Sequence, residues 1–132
     1  MTPDNNIAIC VVGCGNWGRN HIRTLFDLGV LGGIVDSREQ VRNDLKPKYP
    51  SIPIFHRVSD AINTGDFVGF VVATPAETHY KIALKIINAG YHVLVEKPVT
   101  LNIEDACSLK EGAEAQHVNL MAGHVLLFHP AI

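Results

Sequence analysis

The sequence predicts an α/β domain, in which helices cover both faces of a doubly wound, mainly parallel sheet in three α/β/α layers. Two observations predict this class. Segments rich in β-forming residues alternate along the chain with segments that have apolar residues at helical spacing, and the β-rich segments lack the strict apolar–polar alternation of a sheet with one solvent-exposed face. Strands separated by helices join through right-handed crossovers, which bring the strands into one sheet. The 132 residues are enough for one core, so we expect a single domain over residues 1–132.

The predicted strands are runs rich in β-branched and aromatic residues, which favour extended backbone. Five such runs stand out, and a shorter one makes a weaker sixth candidate. In chain order the runs are residues 7–12, 30–35, 52–55 (the weaker candidate), 67–73, 91–96 and 119–127.

The predicted helices lie between these strands and show apolar residues at helical spacing. The first has a predicted buried stripe of Trp17, His21, Leu25 and Leu28, the second contains Val41 and Leu45, and a later one contains Tyr80, Ala83, Leu84 and Ile87. Gly29 and Gly90 stand where helices need a left-handed C-terminal residue. Asn102 and Asp105 form a capping-box pattern that opens a helix running to about Gln116.

Gly13, Gly15 and Gly18 form a G-x-G-x-x-G motif between the first strand and the first helix. A tight turn, close approach to a pyrophosphate and tight helix packing each exclude a Cβ at these positions. The start of the helix then faces the phosphates with free amide groups and partial positive charge. Asp36 ends the second strand, in place to accept hydrogen bonds from the adenosine ribose. The motif in this context predicts a dinucleotide-binding Rossmann fold.

The residues after the second strand bear on which dinucleotide is bound. The Asp36 carboxylate would repel a 2′-phosphate and favours NAD, whereas Ser37 and Arg38 could hold that phosphate and keep NADP as the less favoured alternative. Asn16 and Trp17 complete the candidate binding loop. Trp17 either lies beside the pyrophosphate or adenine-side ribose, or begins the buried stripe of the helix, and the two interpretations are compatible.

Charge and composition argue against several other classes of protein. Eleven basic and thirteen acidic residues are scattered to a net charge of −2, so we expect no nucleic-acid partner. No apolar run approaches about 20 residues, and the N-terminus does not resemble a signal peptide, so we expect a cytoplasmic protein without a membrane partner. The three cysteines predict reduced thiols, and the seven histidines do not predict a metal site.

Four segments carry a family resemblance: VVGCGNWGRNHIRTLFDLG, ATPAETHY, HVLVEKPVT and GHVLLFHPAI. Through them the chain resembles the N-terminal nucleotide-binding part of the Gfo/Idh/MocA oxidoreductases. The last segment and the tryptophan in the glycine loop are similar to the branch that oxidises nucleotide-linked amino sugars, such as the UDP-N-acetylglucosamine and UDP-N-acetylglucosaminuronate 3-dehydrogenases. The resemblance implies hydride transfer from a hydroxyl-bearing sugar carbon to the nicotinamide of NAD.

Lys97 is the candidate catalytic residue. It directly follows an apolar strand and should emerge at the carboxyl edge of the sheet, where open α/β sheets bind ligands. The resemblance implies that Lys97 contacts the nicotinamide ribose and the substrate and assists proton removal, since a cation stabilises developing alkoxide. It also implies that Glu96 contacts the cofactor ribose or amide and that Pro98 sets the bend that aims the lysine. The alternative is a solvated lysine at a strand end.

Two further segments are weaker candidates. The resemblance implies that Thr74 and Pro75 pack beside the ribose and nicotinamide, although an ordinary strand-ending turn is the alternative. His79 starts a helix and is expected to be a packing or capping residue rather than a catalytic one. Near the last strand, His124 has apolar neighbours and is interpreted as a core histidine, whereas His129 could reach the mouth of the site; neither is assigned a catalytic role.

Members of the family continue into a second, α+β domain that carries the catalytic histidine and most substrate contacts, and residues 1–132 do not extend into it. We therefore expect this chain to bind NAD and to turn over slowly or not at all, because it lacks the part that orients the sugar. A non-catalytic dinucleotide-binding or sensing module is the alternative function. Apolar surface around the last strand could support self-association.

Overall fold

A computed structural model describes residues 7–123, and within them six parallel strands form one sheet. Numbered along the chain, the strands lie in the order 3-2-1-4-5-6, which reverses between the first and the fourth and confirms the predicted doubly wound topology. Every predicted strand is present in the described part, the weak sixth included, with slightly shorter bounds. They are β1 (Ile9–Val12), β2 (Leu31–Val35), β3 (Ile54–Phe55), β4 (Gly69–Val72), β5 (His92–Glu96) and β6 (Leu120–Gly123).

In the described part of the chain, five helices cover the two faces of the sheet. They are α1 (Asn16–Asp27), α2 (Glu39–Leu45), α3 (Val58–Thr64), α4 (His79–Asn88) and α5 (Ile103–Gln116), with a 3₁₀ turn at Ala76–Thr78 before α4. Apolar residues of α1 and α2 pack on one face, and those of α3, α4 and α5 pack on the other. The predicted three layers are therefore confirmed. Helix α3 was not predicted from the sequence; its seven residues hold a single fully buried side chain, Ala61.

The predicted buried stripe of α1 is wrong by about one residue. Trp17 and Leu28 are 53% and 68% exposed, while Gly18 and Ile22 are the buried residues of the helix. Leu25 is partly buried against the core, as expected. The rotation has a physical cause, because α1 approaches the loop before it at Gly18, and the helix face that carries Gly18 must therefore be the inner one.

The predicted helix ends are confirmed. Gly29 and Gly90 have φ of +76° and +88°, in the left-handed region that favours glycine. The Asn102 side chain accepts a hydrogen bond of 2.8 Å from the Asp105 amide at the start of α5. The end of the last predicted strand, together with His124 and His129, lies outside the described residues.

Within residues 7–123, no helix is both long and apolar enough to cross a membrane. The same part of the chain contains no group of three histidine, cysteine or acidic side chains placed to hold a metal ion. The three cysteines all lie within the described residues and are free; Cys10 and Cys14 are buried and Cys107 is exposed.

Candidate functional site

A cavity of about 810 Å³ opens beside the carboxyl ends of β1, β2 and β4. It lies where the strand order reverses, since α1 leaves β1 on one face of the sheet and α4 follows β4 on the other. Nine of the residues predicted from the sequence line it: Gly13, Gly15, Asn16, Trp17, Asp36, Ser37, Arg38, Thr74 and Pro75. The fold therefore brings these nine residues together around one cavity.

Other predicted residues do not line this cavity. Gly18 packs against Gly13 of the loop, and Glu96, Lys97 and Pro98 stand at or directly after the end of β5, the strand next to β4. The cavity also has a side that was not predicted from the sequence, formed by His56, Arg57 and Val58 after β3, together with Cys14, Thr78 and Ile82. The rule that carboxyl ends of parallel strands meet at one edge could have found the residues after β3.

The three glycines of the loop have distinct structural reasons. Gly13 has φ of +93°, and a Cβ there would lie 2.8 Å from the backbone of Ala73. A Cβ on Gly18 would overlap the carbonyl oxygen of Gly13. A Cβ on Gly15 would meet no atom within 4 Å beyond its chain neighbours. Two glycines thus permit close packing, and the third leaves open space beside the cavity.

The N-terminus of α1 faces this open space. Gly15 caps the helix without a side-chain hydrogen bond, and the first turn contains no acidic residue. The partial positive charge of this 12-residue helix is therefore not balanced by a side chain of its own first turn. Such an end is suited to an anion, above all one as large as a diphosphate.

The Asp36 carboxylate joins the glycine loop to the end of β2. One oxygen accepts from the Cys14 amide at 2.9 Å and from Arg38 Nη2 at 2.9 Å. The other accepts from the Arg38 amide at 2.9 Å and from Arg38 Nε at 3.0 Å. Both oxygens are therefore engaged, and a ribose hydroxyl could bind this carboxylate after the Arg38 side chain, which is 60% exposed, moves away.

These contacts set the charge at the rim of the cavity. Burial alone would raise the pKa of Asp36, but hydrogen bonds from Arg38 and from the Cys14 amide outweigh burial and hold the pKa below its ordinary value. Burial and the nearby Asp36 charge raise the pKa of the Cys14 thiol to about 12. Asp36 is thus an anion at neutral pH, and Cys14 is an unreactive thiol.

The wall formed by Thr74 connects to the region of Lys97 through a buried histidine. The His79 ring is 1% exposed. Its Nε2 lies 2.8 Å from the carbonyl oxygen of Thr74, and its Nδ1 lies 2.7 Å from that of Pro98. His79 is therefore a buried packing residue at the start of α4, as predicted. Its two contacts with backbone carbonyl oxygens were not predicted.

The segment after β5 carries the predicted catalytic lysine. Lys97 is exposed, and the Lys97–Pro98 peptide is cis. Glu96 is 7% exposed and pairs with His21 of α1, whose Nε2 lies 2.6 Å from a carboxylate oxygen. Because β4 and β5 are neighbours in the sheet, Lys97 and Thr74 end adjacent strands. This pairing of Glu96 with His21 was not foreseen from the sequence.

The fold and the loop have a clear match among known proteins. Residues 7–124 match a family model described as an oxidoreductase family, NAD-binding Rossmann fold. The chain belongs to the Gfo/Idh/MocA family. The match covers most of the chain and confirms the predicted family, the Rossmann fold and the NAD-binding class of this Gfo/Idh/MocA domain.

Individual relatives are similar over nearly the whole chain. UDP-N-acetylglucosamine 3-dehydrogenase of Acidithiobacillus ferrooxidans is 32% identical over 127 residues, which are 92% of this chain and 38% of that protein. The crystal structure of GenD2 from gentamicin A biosynthesis, in complex with NAD, is 33% identical with a TM-score of 0.88, over 94% of this chain and 36% of GenD2.

A third relative shares the fold with a nucleotide sugar bound. The WlbA dehydrogenase of Bordetella pertussis, solved with NADH and UDP-GlcNAcA, is 28% identical with a TM-score of 0.81, over 88% of this chain and 36% of that one. This Gfo/Idh/MocA chain therefore spans less than two-fifths of the length of these three relatives.

Proposed function

We propose that this chain is the nucleotide-binding portion of an NAD-dependent oxidoreductase that transfers a hydride from a hydroxyl-bearing carbon of a nucleotide-linked sugar. The observation that carries the proposal is the N-terminus of α1, which faces a large cavity with open space at Gly15 and the anionic Asp36 beside it. The sugar class is supported by the relatives named for, or solved with, UDP-linked sugars.

The residues around the cavity fit a dinucleotide. The backbone of Gly13, Gly15, Asn16 and Trp17 would hold the diphosphate, and Asp36 would hold the adenosine ribose once Arg38 moves. Gly18 would contribute indirectly, because the absence of a Cβ there lets α1 pack closely against Gly13 of the loop. Thr74 and Pro75 would flank the nicotinamide half of the cofactor. When bound, NAD supplies the hydride acceptor.

NAD is the proposed cofactor in preference to NADP. Asp36 is held in its charged form by hydrogen bonds, so a 2′-phosphate on the ribose would meet a negative charge. Arg38 and Ser37 line the same rim, and they could contact a phosphate only if the ion pair between Arg38 and Asp36 opens. The intact pair therefore favours the ribose without a phosphate.

Lys97 is the proposed catalytic residue of this chain. Its exposed side chain starts at the carboxyl edge of the sheet, one strand away from the wall of the cavity. As an amine, Lys97 would take the proton from the reacting hydroxyl, and as an ammonium it would stabilise the alkoxide that develops there. Glu96 is proposed to contact the cofactor's ribose or amide, and Pro98 to set the direction of the lysine.

Orientation of the sugar is proposed to come from the region of the relatives that the matched segment does not cover. Holding two reactants in a productive geometry contributes up to about 7–11 kcal/mol to lowering a barrier. The 132-residue chain is therefore expected to bind NAD and to turn over slowly or not at all by itself. A cytoplasmic location and self-association near β6 also stay predictions.

Binding is tested first, by calorimetric titration of the chain with NAD and NADP in parallel. Trp17, the only tryptophan of the sequence, lines the cavity, so its fluorescence offers a second readout of the same event. We expect NAD to bind more tightly than NADP. Failure of both dinucleotides to bind at millimolar concentration would contradict the proposal.

Catalysis is tested by following NADH formation from UDP-N-acetylglucosamine, with the chain alone and with the C-terminal half of the Acidithiobacillus relative added. We expect turnover in the mixture, which Lys97→Ala abolishes while NAD affinity is kept. Lys85→Ala, at an exposed position on α4, is the matched control and should change neither. NAD binding without turnover in the mixture would favour the alternative, a dinucleotide-binding or sensing module.

A further inference from the structure

His79 makes two hydrogen-bonding contacts that lie on opposite sides of its ring. Both partners, Thr74 and Pro98, offer backbone carbonyl oxygens, which only accept hydrogen bonds. A neutral imidazole donates one hydrogen bond, whereas the doubly protonated ring donates two. The ring is thus placed as a bridge between two turns, with one nitrogen 2.8 Å from the Thr74 carbonyl oxygen and the other 2.7 Å from that of Pro98.

The two turns that the ring connects have different roles in the proposed site. Thr74 belongs to the wall of the cavity, whereas Pro98 follows the proposed catalytic lysine directly. The contacts span 5 and 19 residues of sequence. His79 is therefore a direct physical connection between the place where a dinucleotide is proposed to bind and the backbone that carries Lys97.

The His79 ring belongs to a helix that is packed firmly in the core. His79 begins α4, whose residues Ala83, Ile86 and Ile87 are completely buried in the core. The Thr78 hydroxyl, one residue earlier, is hydrogen-bonded to the Thr74 hydroxyl at 2.7 Å and so holds the first turn from a second direction. Because α4 resists displacement, a shift of one turn can pass through the ring to the other.

We propose that His79 is a positioning residue, which couples occupation of the cavity to the placement of Lys97 through its hydrogen bonds to the Thr74 and Pro98 carbonyls. The inference rests on the proposed function, because it takes Lys97 as catalytic and the cavity as the dinucleotide site. His79 itself contacts neither the cavity nor the reacting atoms. It acts by fixing the backbone on both sides of the path between them.

Two substitutions each keep one half of the bridge. The side-chain nitrogen of asparagine lies near the position of imidazole Nδ1, so His79→Asn retains the contact to Pro98. The side-chain nitrogen of glutamine lies near the position of Nε2, so His79→Gln retains the contact to Thr74. The matched control is His117→Asn, because His117 is an exposed histidine with φ of +55° at the end of α5, where asparagine is well tolerated.

The readout is the backbone amide spectrum of the full chain, labelled with ¹⁵N and titrated with NAD. The Val99 amide belongs to the same peptide unit as the Pro98 carbonyl, and Val99 packs against the core, away from the cavity. In the wild type, we expect the Thr74 and Val99 amides to shift with the same dissociation constant. In both variants, the Thr74 amide should still shift on titration with NAD, and the NAD affinity should stay within about threefold of the wild type. The change in chemical shift of the Val99 amide should fall to about half of the wild-type change or less.

The outcomes separate the two proposals. If Thr74 and Val99 of both variants shift as in the wild type, His79 only fills the core and the coupling is refuted. If Thr74 of the wild type responds to NAD and Val99 does not, the coupling is refuted while cofactor binding stands. If neither amide of the wild type responds, dinucleotide binding itself has failed and both proposals fall. A melting temperature for each variant confirms that the compared chains are folded.

Discussion

Replacing Asp36 with asparagine tests whether the carboxylate braces the glycine loop. Each carboxylate oxygen accepts two hydrogen bonds, one of them from a backbone amide. Asparagine keeps one oxygen and places an NH₂ group opposite the other two donors, so two hydrogen bonds are lost whichever way the amide turns. Loss of a buried amide's partner costs about 1–3 kcal/mol, and the bond from the exposed Arg38 side chain adds less than about 1 kcal/mol.

The expected destabilisation is therefore about 2 kcal/mol. For a domain of this size that lowers the melting temperature by about 8 °C. The assay is thermal unfolding at neutral pH, with Asp44→Asn as a matched control at an exposed position of α2, which should change stability by less than about 0.5 kcal/mol. Asp36→Asn should also bind NAD more weakly than the wild type does, and the ratio of its affinities for NAD and NADP should lie closer to one.

The difference between wild type and Asp36→Asn should depend on pH with a definite sign. The folded-state pKa of Asp36 lies below the ordinary value of about 3.9, so the carboxylate's contribution is fully present above that value. It is lost as pH falls through the lower, folded-state pKa. The two melting curves should therefore differ at pH 7 and converge in acid. A variant that melts within about 2 °C of wild type at pH 7, or a gap that persists in acid, would refute the reasoning.

Two further predictions concern packing and thiol chemistry. Gly18→Ala should lower stability by about 1–3 kcal/mol and weaken NAD binding, because its Cβ overlaps the Gly13 carbonyl. Gly112→Ala on α5, where a Cβ meets only ordinary contacts from 3.4 Å, should leave binding unchanged and slightly raise the melting temperature; equal effects would contradict the packing argument. Alkylation of the folded chain at neutral pH should modify exposed Cys107 and spare Cys14, whose thiol pKa is raised to about 12; mass spectrometry showing early Cys14 modification would contradict this.

Features determined by local sequence were predictable from it. β-branched runs located the strands, and the glycine motif and Asp36 were placed at the cavity because strand, turn and helix are neighbours in sequence. The Asn102 cap at the start of α5 is local in the same way. Such features follow from chain geometry within a few residues, and no knowledge of distant contacts is needed.

Features that depend on distant packing were not predictable. The rotation of α1 depends on contact between Gly18 and Gly13, which a hydrophobic pattern dominated by Trp17 does not reveal. The pairing of His21 with Glu96 joins residues 75 positions apart. The sequence around either residue gives no indication of which residue it pairs with. α3 was missed because a short helix of mostly polar residues carries almost no periodic signal.

The reversal of strand order between β1 and β4 has a consequence for how such a domain can change over time. Because the helices after these two strands depart to opposite faces, the crevice between them arises from the winding of the backbone rather than from particular side chains. Substitutions along its rim can alter which ligand is preferred without closing it. A domain wound in this way can acquire new specificities gradually, while its core goes on being selected only for packing.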